Sequence, residues 1–353
     1  MIEVNIVNEL MRSSTSYQVK KENDTITVSS DKPIIVEDKL WDQMNGEWIF
    51  AVKCYDDKGL YHIDYLFFSK DFELLNVITE DKGVNPEFLS APDNTVWVSL
   101  SSISTDRDGE IVLPLKERSR ITKDIVRKDI GTAAIFCING QPCAYSVDYF
   151  DPKKYDKLLA YQFDKNGLYK TKKQYVLDNI WNGYPIVIKD KCFVTYVKWN
   201  DSLCTIHISE INESGEILSD WKSETISGID GVFLLSYSET QLEFIAFTEN
   251  HVDCIVCSSE GTLLSRNIVY QTEERINLIK SPRIVGETRS VQCISGDPQH
   301  GAKNVLLVLK SDSVSVCGSG KGYFPSLLDS SYVLHSPIGG QNNDHHDFKL
   351  VMI

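Results

Sequence analysis

The sequence predicts an all-β protein built of seven four-stranded antiparallel units, on three observations. Residues 184–224 divide into four strand-like runs, 184–189, 191–198, 203–211 and 217–224, each rich in β-branched or aromatic residues and separated by the polar breaks Asp190, Trp199-Asn200-Asp201 and Asn212-Glu213-Ser214-Gly215. Comparable turns recur at Gly167, Gly215 and Gly261, 48 and 46 residues apart. The last unit runs short of strands while the first 30 residues hold strands without a unit.

Taken in order, residues 32–80 give PIIVE, WIFAVKC, LYHIDYLFFS and LLNVITE, with turns at Asp56-Asp57-Lys58-Gly59 and Lys70-Asp71. Residues 86–125 are shorter and less regular: FLSA, TVWVSLSS, EIVLPL and RITKDI. Residues 130–178 restore the pattern, 184–226 hold the clearest unit, and 230–272 and 277–318 repeat it. A glycine closes the clearest turns because a positive φ is free of steric penalty only there. From Tyr323 the chain offers three strands, FPSLL, YVLHSP and FKLVMI, and residues 25–29 are the expected outer strand that completes this seventh unit. Residues 4–10 are β-rich as well. Sharing one unit between both ends removes exposed strand edges, so the expectation is one closed domain over 1–353.

Composition bounds the function. At 353 residues and 42% hydrophobic content the chain can bury a sizeable core without staples. The net charge of −14 argues against nucleic acid, whose binding needs a basic stripe; the one basic cluster, 116–128, reads as a solvated strand pair. An acidic surface favours a cationic partner or simply serves solubility, which is the commoner role of such charge. No run approaches the roughly 18 apolar residues of a membrane span. Residues 1–14 carry Glu3, Asn5, Asn8 and Glu9 and no long apolar run, so a cytoplasmic protein is expected, with its nine scattered cysteines reduced.

A period near 45 residues with four strands per period resembles the β-propeller superfamily, over nearly the whole chain. Neither recurrent Trp-Asp ends nor Gly-Gly pairs narrow the family. Residues 212–221 (NESGEILSDW) are similar to the Asp-box hairpin of sialidase-like propellers, keeping Gly215 and Trp221 but with Glu213 and Ser214 where the Asp and its neighbour belong. The resemblance implies that second-to-third-strand connections and blade-to-blade connections share one face. That face would carry Trp181, Tyr184, Trp199, Asp201, His251, His300, Tyr323 and His345, aromatics and histidines of the kind that line binding sites.

Catalytic and metal chemistries are not expected. Asp344-His345-His346-Asp347 has ligand residue types, yet neighbours in a strand point to opposite faces. Cys254 and Cys257 have the spacing of a redox pair but sit in a strand, where i and i+3 also face opposite ways. Cys137 and Cys143 flank a hairpin, where a reducing compartment keeps them thiols. Asp56, Asp151, Asp201 and Asp297 offer carboxylates of the kind a glycosidase pairs across a sugar, while Arg118, Arg120 and Arg127 crowd into one unit, the wrong distribution for a sialidase-type clamp. Gly-Ser-Gly-Lys-Gly at 318–322 lacks the spacing of a phosphate loop. The expected function is therefore that of a cofactor-free binding protein, with an immunity or inhibitor protein that masks a cationic toxin or enzyme as its sharpest form. A carbohydrate-binding or glycoside-acting propeller is the alternative.

Overall fold

The computed structural model describes residues 15–43, 45–56, 59–80, 86–90, 96–100, 109–112, 122–125, 132–138, 141–148, 157–163, 169–176, 180–188, 191–200, 203–212, 216–285, 287–296, 303–310, 313–318, 322–338 and 345–353. Regular structure among them is entirely β. Strands β1 (Tyr17–Glu22) and β2 (Thr25–Ser30) come first, followed by a sheet of β3 (Ile34–Asp42), β4 (Glu47–Tyr55), β5 (Tyr61–Phe68) and β6 (Leu74–Glu80). The next sheets are β7 (Pro86–Ser90), β8 (Val96–Leu100), β9 (Gly109–Val112) and β10 (Thr122–Ile125), then β11 (Thr132–Ile138), β12 (Gln141–Asp148), β13 (Lys157–Phe163) and β14 (Tyr169–Val176). Three more follow: β15 (Ile180–Ile188), β16 (Lys191–Asn200), β17 (Leu203–Ile211) and β18 (Ile217–Ser227); β19 (Gly231–Tyr237), β20 (Gln241–Phe247), β21 (His251–Ser258) and β22 (Leu263–Gln271); β23 (Ile276–Val285), β24 (Thr288–Ser295), β25 (Lys303–Lys310) and β26 (Ser313–Gly318). Each of these sheets pairs its strands in chain order, whereas the last has five strands in the order β1, β2, β29 (Asp347–Met352), β28 (Tyr332–Pro337), β27 (Tyr323–Leu327).

The chain divides into two compact units, one of Met1–Ser146, Leu159–Lys173 and Ser336–Met352, the other of Val147–Leu158, Gln174–His335 and Ile353. In the first unit β2 lies antiparallel to β29, with Thr25 opposite Val351 and Ser29 opposite Asp347. The expected outer strand at 25–29 is thus present, and β1 is a strand beyond it; residues 4–10 lie outside the described residues. Alternation explains β2, whose Ile26, Val28 and Ser30 face inward while Thr25, Thr27 and Ser29 do not. The strand β4 is instead buried on both faces, and its run of apolar residues fits that environment. Phe50 from β4 stacks on Phe348 of β29 with centroids 5.4 Å apart, while Ile49, Ala51, Ile63, Tyr65, Phe67 and Ile78 fill the other face. Each such side chain contributes about 1.5–3 kcal/mol by leaving water.

The second unit is layered the same way. One face of the β19–β22 sheet packs Leu234, Phe244, Ile255 and Cys257 against Val197, Ile206, Ile208 and Ile226 of the preceding sheet. Its other face packs Phe233, Ile245 and Val252 against Val291, Val305 and Leu307 of the next. Cys257 therefore points one way and Cys254, beside Phe247, the other, as expected of positions three apart in a strand. Burial and Glu243 push the Cys254 thiol up to about 12. The seven cysteines at 54, 192, 204, 254, 257, 293 and 317 are free; Cys137 and Cys143 belong to segments whose side chains lie outside the described residues.

Two turns between third and fourth strands show how one backbone geometry takes two residues. Gly261 N–H donates to Ser258 O and Ser258 N–H to Thr262 O, with Gly261 at φ +98°. In the first unit Phe72 N–H donates to Ser69 O and Ser69 N–H to Glu73 O, with Phe72 at φ +56°. Gly261 is held to glycine, since a Cβ would meet Lys222 O at 2.6 Å and Trp221 Nε1 at 3.1 Å. Phe72 accepts the left-handed strain because its buried ring stacks on Trp48. Gly167 and Gly215 lie outside the described residues.

Candidate functional site

Two buried aspartates stand at the same register position of their sheets, each two residues after a histidine and so on the same strand face as it. On β5 the run is His62-Ile63-Asp64; on β21 it is His251-Val252-Asp253. Asp64 lies opposite Val52 and His62 opposite Cys54; Asp253 lies opposite Ala246, which puts Thr248 opposite His251 and makes Thr248 the counterpart of Cys54.

At the first site Tyr17 reaches across from β1. Its hydroxyl, 2.9 Å from Cys54 Sγ, donates to Asp64 Oδ2 at 2.8 Å, and Thr79 from β6 donates to Oδ1 at 2.5 Å. Cys54 Sγ and His62 Nε2 each lie 3.5 Å from Asp64 Oδ2, and Thr15 Oγ1 lies 3.2 Å from His62 Nε2. Burial alone would raise the Asp64 pKa, but hydrogen bonds from His62, Thr79 and Tyr17 hold it below the usual carboxylate value. Burial and the neighbouring carboxylate push the Tyr17 phenol and the Cys54 thiol up, so both keep their protons at neutral pH.

At the second site a guanidinium answers the carboxylate: Arg266 Nε donates to Asp253 Oδ2 at 2.5 Å, and Nη1 to Ser227 O at 3.1 Å. Arg266 occupies the position that Val77 holds in the first sheet, each opposite its third strand at Ile255 and Leu66. His251 Nδ1 sits 2.9 Å from Thr248 Oγ1 and 3.0 Å from Asn250 Oδ1. Its Nε2 stands 3.3 Å from Asp253 Oδ1, close enough for an ion pair, yet among the described residues that oxygen accepts no hydrogen bond, so the direction of approach is poor. Both ring nitrogens of His251 face protein atoms, an arrangement that fixes the orientation of the ring.

No family model and no curated protein matches the sequence. Solved structures do match. The β-propeller domain of the Trilobed protease from Pyrococcus furiosus aligns over 92% of this chain and 92% of its own, with 9% identity and a TM-score of 0.51. A structure from work on two prolyl endopeptidases aligns over 91% of this chain and 54% of its own, with 9% identity and a TM-score of 0.52. The chain has a β-propeller fold.

Within that fold the residues anticipated from sequence fall unevenly. Trp181 and Tyr184, expected on a blade-to-blade connection, belong to β15, whose register with β16 slips between them. A bulge keeps the strand paired where the sequence suggested a break. Trp199, expected at the tip of a turn, is a strand residue paired with Cys204, because the hairpin there is tighter than the polar run Trp199-Asn200-Asp201 implies. The side chains of these three, and Asp201 and His300 altogether, lie outside the described residues. His251 and Tyr323 open β21 and β27. His345 and His346 precede β29 and accept backbone hydrogen bonds from Ile34 and Ser30 through their carbonyls; Asp344 lies outside the described residues.

Sequence reasoning missed the exposed large hydrophobic side chains at the blade ends. Leu60 (66% exposed), Tyr61, Leu203 and Ile338 lie at connections between second and third strands. Leu75, Leu218 and Leu264 are half exposed at one shared position, the second residue of a fourth strand. Register slips at Phe67/Phe68, Glu210/Ile211 and Val256/Cys257 precede them. The signal was present as Leu-Leu or Ile-Leu dipeptides following each of these turns, at 74–75, 217–218 and 263–264.

Proposed function

We propose that the chain is a single ring of seven blades, its last blade shared by both ends of the sequence, and that it binds a protein partner at the edge where second strands turn into third strands. The observation that carries this reading is the exposure of Leu60, Tyr61, Leu203 and Ile338 at those connections in a chain of net charge −14. Apolar anchors inside a polar rim are the anatomy of a protein interface, and the acidic net charge of the chain favours a cationic partner in approach and in orientation. Trp181, Tyr184, Trp199, Asp201, His251, His300, Tyr323 and His345 belong to the same proposed face. An immunity or inhibitor protein acting in the cytoplasm fits this reading. A second reading, favoured by the shared register of Leu75, Leu218 and Leu264, puts the partner at the opposite turns.

Affinity capture from the source cells with quantitative mass spectrometry separates them. The doubly substituted Leu60→Asp, Leu203→Asp protein is expected to lose a stoichiometric partner at least tenfold, while Leu218→Asp, Leu264→Asp keeps it. The reverse pattern supports the second reading. Retention of the partner by both variants overturns both, and enrichment of glycan rather than protein supports the carbohydrate-directed alternative.

A further inference from the structure

We infer that Cys54, His62 and Asp64 form a binding site for a divalent transition-metal ion of the Zn²⁺ type, with the Tyr17 hydroxyl at its fourth corner. The inference is independent of the proposed partner and rests on the first unit alone. Among the described residues, the ligand atoms of these three side chains all lie within 4.8 Å of one another. Zn–S bonds of about 2.3 Å and Zn–N or Zn–O bonds of about 2.0 Å, set at tetrahedral angles, separate ligand atoms by about 3.3–3.5 Å. Two edges of the cluster already match: Cys54 Sγ and His62 Nε2 are each 3.5 Å from Asp64 Oδ2. Tyr17 Oη, at 2.9 and 2.8 Å from Sγ and Oδ2, has only to withdraw by about half an ångström to take the remaining corner.

The backbone register brings this set together, and the edge between Cys54 Sγ and the His62 ring, bounded by 4.8 Å, closes to tetrahedral spacing by side-chain rotation. Cys54 and His62 are directly cross-strand neighbours and Asp64 follows two residues on, so all three project from one face of the β4–β5 hairpin. The donors suit a borderline ion, since a thiolate with an imidazole favours Zn²⁺ or Co²⁺ over Ca²⁺ or Mg²⁺. Their charge suits a buried one. On binding, Cys54 gives up its thiol proton to solvent and forms the metal–sulfur bond, and a thiolate with a carboxylate then neutralises the dication. Thr79 donates to the other Asp64 oxygen, which leaves Oδ2 aimed at the site. The blade of Asp253 provides an internal comparison: Thr248 stands in place of Cys54, and Arg266 already sits on the carboxylate. That constellation is built for a guanidinium and lacks the sulfur.

The test is a titration of the full-length, chelator-stripped protein with Co²⁺, followed by displacement with Zn²⁺. The expected result is one equivalent bound, with the near-ultraviolet thiolate-to-cobalt band and the intense visible bands of tetrahedral cobalt, both removed by Zn²⁺. Cys54→Ser abolishes the near-ultraviolet band, Cys317→Ser keeps it, and His62→Gln weakens Co²⁺ binding at least tenfold. Substoichiometric binding, or a sulfur band that survives Cys54→Ser, overturns the inference. Should Cys54→Ser fail to fold by circular dichroism, the His62→Gln titration decides, and unchanged affinity there is the overturning result.

Discussion

The blades of Asp64 and Asp253 set the same two residues, a histidine and a buried aspartate, in the same register, and surround them with different chemistry. Asp64 is fully buried and answered by hydroxyl and thiol donors, one from a strand 47 residues away in sequence. Asp253 is equally buried but answered by a guanidinium on its own sheet that stays 30% exposed. The difference teaches that the register of the third strand fixes where a carboxylate goes, while cross-strand neighbours decide what it does there. Cys54 against Thr248 and Val77 against Arg266 are enough to turn a site that collects donors into one that carries its own cation.

The largest effect expected from breaking that comparison comes from the aspartates. Asp64→Ala leaves the Tyr17, Thr79 and Cys54 donors without this acceptor in a buried setting and should destabilise the protein by about 3–4 kcal/mol. Asp253→Ala strands Arg266, but that side chain keeps Ser227 O and reaches solvent, so about 2 kcal/mol is expected. Denaturant unfolding of both variants orders them, and an equal or larger loss in Asp253→Ala refutes the contrast. Tyr17→Phe sharpens it further. Removing one hydroxyl while keeping the ring should lower stability by about 1–1.5 kcal/mol, and the melting transition of a variant that loses nothing would show that β1 is held without this bond.

A smaller effect sets apart a third histidine. His207 on β17 stacks on Tyr196, and its burial, opposed by Asp220, lowers its pKa below the ordinary value. A histidine that resists protonation in the folded state takes up its proton more readily when unfolded, so its contribution is present above the unfolded pKa of about 6.5 and fades as pH falls below it. Between pH 7 and 5 the wild type should therefore lose more stability than His207→Gln, by less than about 1 kcal/mol. Parallel stability–pH curves for the two proteins would rule the assignment out.

Strands were legible wherever a period-2 or continuous apolar run met a polar turn, which covers the blades from β15 to β26 and from β3 to β6. The terminal pairing was legible too, because three C-terminal strands needed a neighbour and residues 25–29 had the right alternation. The strand β1 was not, since YQVKKE buries little and its role comes from one tyrosine reaching a different blade. Trp199 was misplaced because turn-forming residues say where a chain tends to bend, not how many residues the hairpin keeps paired. The His-x-Asp constellations were unreadable singly. Two residues two apart share a face in any strand, and only the cross-strand register brings Cys54 or Thr248 to them.

The pairing of β2 with β29 carries a consequence for how the molecule comes into being. Val28 and Phe348 stand opposite one another although 320 residues separate them in sequence, a loop whose ends cost about 5 kcal/mol in chain entropy to bring together. During synthesis β2 leaves the ribosome some 320 residues before its partner β29. For that interval the edge of β2 opposite β1 is an open template that any passing strand can complete, so a stalled or truncated chain exposes a surface suited to pairing with another molecule. The long-range pairing of β2 with β29 is thus also the contact that removes this template.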